Sequence, residues 1–426
     1  MTEVKIGFKQ TESAEIPEKW EMARLGDVVE ELKNGFASGK RDENGIVQIR
    51  MNNVTTDGRL IFNSYLKVPV PENLNYWLLK KGDLLFNNTN SIDLVGKSTI
   101  FNDTPFPCTF SNYFTRIRFK KELVLPELIL YHFLILWGKN YFKSVAIRHV
   151  GQSAVHTEYL LKLQIPLPPL PEQRRIAEVL GTVDSAIQKV GGAIEGTERL
   201  KKGLMQRLLT RGIGHERFKE SEVGRIPDEW EIVQVGDITD EHKQGFYTSE
   251  NYSEEGINLV RITDLQNPEI SYLKMPKIKI DDELFKQFKV DVGDFLIARS
   301  GAIGRYGIVK SSIPCVFASY IIRFRFDSCR VDNLYFGKLF ESFYISNELK
   351  KITQGATNKN INAYNIKKIK IPLPPLPEQR RIAEILSAAD RKLELERRRK
   401  EKLERVKKGL MNELLTGKKR IKVEAI

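Results

Sequence analysis

Fourteen consecutive residues, IPLPPLPEQRRIAE, occur twice in this 426-residue chain, at 165–178 and again at 371–384, 206 positions apart. The register holds without a gap to KKGLMQRLLT at 201–210 and KKGLMNELLT at 407–416. A repeat of this length restricts the fold to two copies of one long element. Each copy predicts an extended Pro-rich segment leading into a helix. Pro171 and Pro377 suit the first helical position, where a missing N–H costs nothing, and Glu172 and Glu378 sit where the helix dipole favours an anion. Apolar residues then recur at spacings of three and four: Ile176, Leu180, Val183, Ile187, Val190 and Ile194, followed by Leu200, Leu204 and Leu208. The second copy gives Ile382, Leu386, Ala389 and Leu393, a polar gap, then Leu403, Val406, Leu410 and Leu414. This is coiled-coil spacing. Helices of about 40 residues would reach roughly 60 Å, and packing the two copies antiparallel on each other covers both stripes. Two separate helices, each capping its own domain, is the alternative. Gly181, Gly191, Gly192, Gly196 and Gly203 either permit close helix approach or mark a break.

The duplication extends upstream. IPEKWE at 16–21 answers IPDEWE at 226–231, Arg50 answers Arg261, and Pro107-Cys108 answers Pro314-Cys315. The repeat predicts domains at 1–171 and 213–377, helices at 172–212 and 378–416, and a frayed basic tail at 417–426. Each domain reads as α+β. Strands are expected at 46–50, 83–86, 115–119 and 322–326, and helices near 126–144 and 332–352, the latter capped by Asp332. Polar loops follow at 148–157 and 353–362. Frames match and loops differ, which is the layout of one scaffold holding two readers.

The formal charge is +13, and the two helical stretches, 172–212 and 378–426, carry +10 of it. A basic excess suits a polyanion partner, but exposed helical Lys and Arg are equally consistent with simple solvation. Three cysteines without short spacings argue against a disulfide framework or a zinc site and fit a reduced cytoplasm. The first twenty residues hold no apolar core, and the longest apolar run, 128–137, is too short to span a bilayer.

Catalytic signatures are sparse. No phosphate loop, N-P-P-[YF] tetrad or H-E-x-x-H occurs. The glycines of Gly301, Gly304 and Gly307 have the wrong spacing for a dinucleotide fingerprint and predict a tight turn between strands. Pro227-Asp228 with Glu241-His242-Lys243 matches the loose pattern of magnesium nucleases, whose carboxylates hold the metal. The first copy offers only Pro17-Glu18 and Glu31-Leu32-Lys33 there, and the repeated Trp20 and Trp230 indicate a packing motif instead.

The two Pro-rich motifs, the KKGLM helix ends and the IPEKWE and IPDEWE openings together resemble the DNA-specificity (S) subunits of type I restriction-modification enzymes, over nearly the whole chain. The resemblance implies two pseudo-symmetric α+β target-recognition domains joined by two long helices packed as an antiparallel coiled coil. Each domain would read one half of a split asymmetric DNA sequence. The helices would act as a ruler between half-sites about 34 Å or more apart and as a dock for two methyltransferase (M) subunits, with restriction (R) subunits joining later. The family carries no catalysis of its own, so S-adenosylmethionine, ATP and magnesium would be used by the partners.

Polar side chains suited to base edges and phosphates lie in repeat-related places. They are Lys33, Asn34, Lys40 and Arg41 with Lys243, Gln244 and Tyr247; Asn87, Asn88 and Asn90 with Arg299 and Ser300; Arg116 and Arg118 with Arg323 and Arg325; and Arg148 and Gln152 with Gln354, Asn358, Lys359 and Asn360. A solvated loop or strand face is the plainer reading of each, and a structural salt bridge that of Arg50 and Arg261. A magnesium-dependent nuclease and a coiled-coil scaffold that binds no DNA remain the other function classes.

Overall fold

The computed structural model describes residues 7–11, 15–248, 252–353 and 360–421. The chain divides into two compact units: unit 1 takes residues 1–191 and 399–426, unit 2 residues 192–398. In unit 1 an antiparallel sheet runs in the order Val29–Asn34, Phe114–Phe119, Leu84–Asn87, Ser98–Ile100. In unit 2 the order is Thr239–Gln244, Ile321–Phe326, Phe295–Ala298, Tyr306–Ile308. These are repeat-equivalent strands in the same order, with helices packed against them, so the α+β class holds in both units. Each unit adds a second sheet in which one pair is parallel: Cys108–Phe110 beside Ile46–Ile49, and Cys315–Phe317 beside Ile257–Val260.

The helix expected near 126–144 is two, Pro126–Gly138 and Tyr141–Val145, broken at Asn140 with φ 59°. Its counterpart is Asn333–Phe340 and Phe343–Thr353, and the Asp332 carboxylate caps the first by accepting from the Tyr335 N–H at 2.9 Å. The glycine turn joins Phe295–Ala298 to Tyr306–Ile308, with Gly301 and Gly304 at φ 69° and 93°, values that side-chain-bearing residues avoid.

The repeated motif builds a corner. Its proline strand, Gln164–Leu167, pairs antiparallel with Glu21–Arg24, and Lys370–Leu373 pairs with Glu231–Gln234. Both are two-stranded ribbons, where a proline's missing N–H is tolerated. The first helical turn then locks the domain opening: the Trp20 Nε1–H donates to Glu172 at 3.0 Å and the Trp230 Nε1–H to Glu378 at 2.9 Å. The neighbouring glutamine closes the other side. Gln173 donates to the Leu123 and Pro168 carbonyls and accepts from the Leu125 N–H, while Gln379 does the same with Arg330, Pro374 and Asp332.

The long helices Leu170–Arg211 and Leu376–Leu414 are unbroken. The five glycines of the first neither interrupt it nor admit a neighbour, since a Cβ at any of them would meet nothing within 4 Å among the described residues. Within each unit, half of one helix runs antiparallel to half of the other. In unit 1, Ile176 and Leu180 share a core with Met411, Leu414 and Leu415, and Asp184 pairs with Lys407 at 2.6 Å. In unit 2, Leu208 and Leu209 share a core with Ile382, Ala383 and Leu386, and Asp390 pairs with Lys201 at 2.5 Å.

Ile187, Val190, Ala389 and Leu393 are also buried, while Val183, Ile194, Leu403 and Leu410 are half-buried. Leu200 and Val406, expected in the seam, are 55% and 43% exposed. At 100° per residue they fall beside the stripe, and the following residues, Lys201 and Lys407, take the inward positions instead. Each inward charge is paired, as burial requires, and the two aspartates are repeat-equivalents. Burial opposes ionisation of Asp390, but hydrogen bonds from Lys201 and Lys338 outweigh it and hold the carboxyl below its ordinary range.

Of the tail expected to fray, 417–426, residues 422–426 lie outside the described residues, and the rest does not fray. Instead Gly417 is buried against Pro17, and the Arg420 guanidinium donates to Glu172 at 2.5 and 2.6 Å. No helix among the described residues is long and apolar enough to cross a membrane.

Candidate nucleic-acid interface

The strand arginines are held inside each domain rather than offered to DNA. Arg116 and Arg118 alternate with Ile117 on Phe114–Phe119, so both guanidinium groups project from one face, toward Glu31 of the adjacent strand. Glu31 accepts from Arg116 at 2.9 Å and Arg118 at 2.7 Å, and Asp83 accepts from Arg118 at 2.7 Å. Arg116 is fully buried. Unit 2 repeats the network: Glu241 accepts from Arg323 at 2.5 Å and Arg325 at 2.8 Å, and Asp294 accepts from Arg325 at 2.7 Å. Arg323, 3% exposed, and Arg116 cannot reach a phosphate. Arg118 and Arg325 are partly exposed but have their donors committed to carboxylates. Arg261 pairs with Asp264 at 3.0 Å, whereas Arg50 is held by neutral acceptors, Gln48 and the Ser38 carbonyl.

The same network explains Glu241. Burial raises its pKa, but the charges of Arg323 and Arg325 and their hydrogen bonds more than offset this and hold it below the ordinary carboxylate range. Its repeat-equivalent Glu31 is held low in the same way, against burial, by Lys33, Arg116 and Arg118. With one oxygen accepting from Arg323 and the other from Arg325, Glu241 is engaged by arginines where the nuclease reading needed it to hold a metal.

Glu241→Ala should lower stability by about 1–3 kcal/mol, less than the loss of a fully buried partner, because Glu241 is 45% exposed. A carboxyl whose folded pKa is depressed contributes fully above its unfolded value, about 4.3, and loses that contribution as pH falls through the folded value. Urea unfolding at descending pH should show the gap between wild type and variant closing in acid. Equal stability at neutral pH would mean that Asp294, 3.8 Å from Arg323, suffices as its counter-charge.

The remaining candidates gather at one end of each four-stranded sheet. In unit 1 the register sets Asn34 beside Thr115 and Phe114 beside Asn87, so the segments leaving those strands emerge together. The Asn88 side-chain amide donates to the Thr115 hydroxyl at 3.0 Å, which donates to the Asn34 Oδ1 at 2.7 Å. Asn87 is fully buried and donates to the Thr89 and Tyr113 carbonyls, and Asn90 donates to Asn87 at 2.6 Å. These amides brace the edge. Lys33 lies over the Tyr76 ring, 2.9 Å from its centroid, and pairs with Glu31. Lys40 and Arg41 are exposed on the connection leaving this edge.

Residues 148–157, expected as a loop, instead hold a hairpin of Ile147–His149 and Gln152–Ala154, whose second strand pairs with Thr89–Asn90 through Ser153 and Asn90. Arg148 and Gln152 are thereby brought to the same edge, both exposed. The exposed His149 and Val150 lie between them, within the polar segment 148–152, although composition singles out neither. A hairpin signal is present there, since Val150-Gly151 is a two-residue turn between short extended runs.

Unit 2 builds the same edge from other side chains. Gln244 and Tyr247 are exposed, Tyr247 by 77%, and Lys243 lies over the Phe288 ring at 4.6 Å. The Arg299 N–H donates to the carbonyl of Tyr320, whose ring, 57% exposed, was not anticipated. Ser300 bridges Asn360, the counterpart of Asn90 and Ser153. Gln354, Asn358 and Lys359 lie outside the described residues.

Known proteins share the repeated sequence and the fold. Residues 17–195 and 227–405 each match the type I restriction modification DNA specificity domain. A Methanocaldococcus jannaschii protein provisionally named the MjaX specificity subunit of a type I restriction enzyme is 32% identical over 432 residues, covering 97% of each chain. The type I restriction enzyme MjaVIII specificity subunit of the same organism is 29% identical, over 97% of this chain and 96% of its own. Among solved structures, the S subunit of a type I restriction-modification system from M. genitalium superposes with a TM-score of 0.58 at 13% identity, over 97% of this chain and 98% of its own, a likeness of fold.

Proposed function

The chain belongs to the DNA-specificity family of type I restriction-modification systems, and from that premise we propose that it reads a bipartite, asymmetric duplex target. Residues 1–171 serve one half-site and residues 213–377 the other. The helices at 172–212 and 378–416 space the readers and dock two methyltransferase subunits, with restriction subunits joining them. The chain supplies recognition and no catalysis; S-adenosylmethionine, ATP and magnesium are used by the partners.

The observation that carries this reading is one frame used twice with different side chains at the same edge. Asn34, Arg148 and Gln152 stand in unit 1 where Gln244, Tyr247, Arg299 and Asn360 stand in unit 2, on strands of identical order. Of these, Asn34, Arg148, Gln152, Gln244, Tyr247 and Asn360 are exposed and Arg299 is half-buried; side chains that reach base edges carry sequence information, whereas phosphate contacts fix position.

Mapping methylated bases across the host genome with and without this gene tests it. A split motif should disappear on deletion. A methylome that is unchanged in a host otherwise active for the system would overturn the reading.

A further inference from the structure

The Ile147–Ala154 hairpin joins unit 1's candidate edge through Ser153 and Asn90. All three residues of Ile147–His149 are exposed, and Val150 at the tip is fully so. Gly151 turns the chain at φ 78°. The root is stiff: Ser153 and Asn90 are 4% and 8% exposed, the Val155 N–H donates to the Asn88 carbonyl at 2.9 Å, and the Asn87–Asn90 amide pair lies beneath. A ribbon fixed at its base and free on both faces at its tip suits insertion, because its shape is set before it meets a partner.

We propose that this hairpin is the base-reading element of unit 1, entering the major groove of duplex DNA with His149 and Gln152 on base edges. The proposal rests on the functional reading above. The major groove of B-DNA admits a two-stranded β-ribbon. His149 and Gln152 are cross-strand partners, so their side chains share one face of the ribbon. A glutamine amide offers the donor and acceptor that match adenine N7 and N6, and the imidazole N–H suits a purine acceptor. Val150 supplies the apolar tip that packs on a thymine methyl. Arg148 projects to the opposite face by strand alternation and meets the phosphate wall. The ribbon thus divides labour by face, with bases on one side and backbone on the other.

The test uses the full chain assembled with its partner subunits and a pool of randomised duplexes, from which bound sequences are read. Wild type should enrich a split sequence. His149→Ala/Gln152→Ala should lose preference at one to three positions of one half-site only, and should bind the wild-type sequence about 10- to 100-fold more weakly. Its non-specific affinity and salt dependence should stay as they were. Arg148→Ala should instead weaken all duplexes alike and reduce the salt slope by about one. Unchanged preferences in the double variant would overturn the proposal and leave the functional reading standing, as would a uniform loss with a shallower salt slope. Failure of wild type to enrich any split sequence would overturn the functional reading itself.

Discussion

Exchanging residues 1–171 for the corresponding domain of another family member should replace one half of the recognised sequence and leave the other half untouched. The two domains have separate apolar cores: one is built around Trp20, Phe86 and Phe133, the other around Trp230, Phe295 and Phe336. The cut falls at a suitable place. Ending the transplant at Pro171 carries both strands of the proline ribbon, Glu21–Arg24 and Gln164–Leu167, inside the incoming block. The resident helix then presents Glu172 and Gln173, which need only an indole N–H and three backbone groups in return. A donor bearing a tryptophan at the position of Trp20 should therefore seat without redesign. Methylome sequencing of the hybrid reads both half-sites at once. Simultaneous change of both would mean that the domains do not read independently.

Glu172→Ala should cost unit 1 about 3 kcal/mol or more, the scale for removing one member of a buried charge pair. The carboxylate is 3% exposed and accepts from Trp20, itself fully buried, and from Arg420. Truncation strands the indole N–H and a guanidinium that is only 25% exposed. Glu172→Gln keeps an acceptor for the indole and loses the charge, so it should lose distinctly less. Denaturant unfolding of the full chain, followed by fluorescence, separates the outcomes. A shift below about 1 kcal/mol, the worth of an exposed surface pair, would show that the corner does not depend on this carboxylate.

The fold was legible where its cause is local. Period-3.6 stripes and the repeat exposed both long helices, and the alternation of Ile321–Phe326 exposed its strand. What the sequence hid depends on register between distant segments. Arg116 meets Glu31 across 85 positions, and Lys407 meets Asp184 across 223, so nothing near either basic residue marks it as inward-facing. The same blindness placed Leu200 and Val406 in the seam, because an apolar residue at nearly the right spacing outscores a lysine whose partner is unknown. The parallel pairing of Cys108–Phe110 with Ile46–Ile49 joins strands about 60 residues apart and leaves no periodic trace. At the candidate edge, amides were found by composition alone. Composition could not separate Asn87, fully buried as a brace, from Gln152, exposed on a hairpin.

The order of synthesis and the order of completion run opposite in this chain. Unit 2 consists of one uninterrupted stretch, 192–398, whereas unit 1 needs residues 399–426 as well as 1–191. Met411, Leu414 and Leu415 join the core that holds Ile16 and Trp20, and Arg420 neutralises Glu172. Unit 1 therefore waits, with an apolar face uncovered and an acidic side chain unmatched, until the residues that follow unit 2 arrive. Closing so long an interval costs little extra entropy, since that term grows only logarithmically with length, but it delays the event. A premature stop near residue 405 would leave the second reader whole and disable the first, although the missing residues follow the second in the chain.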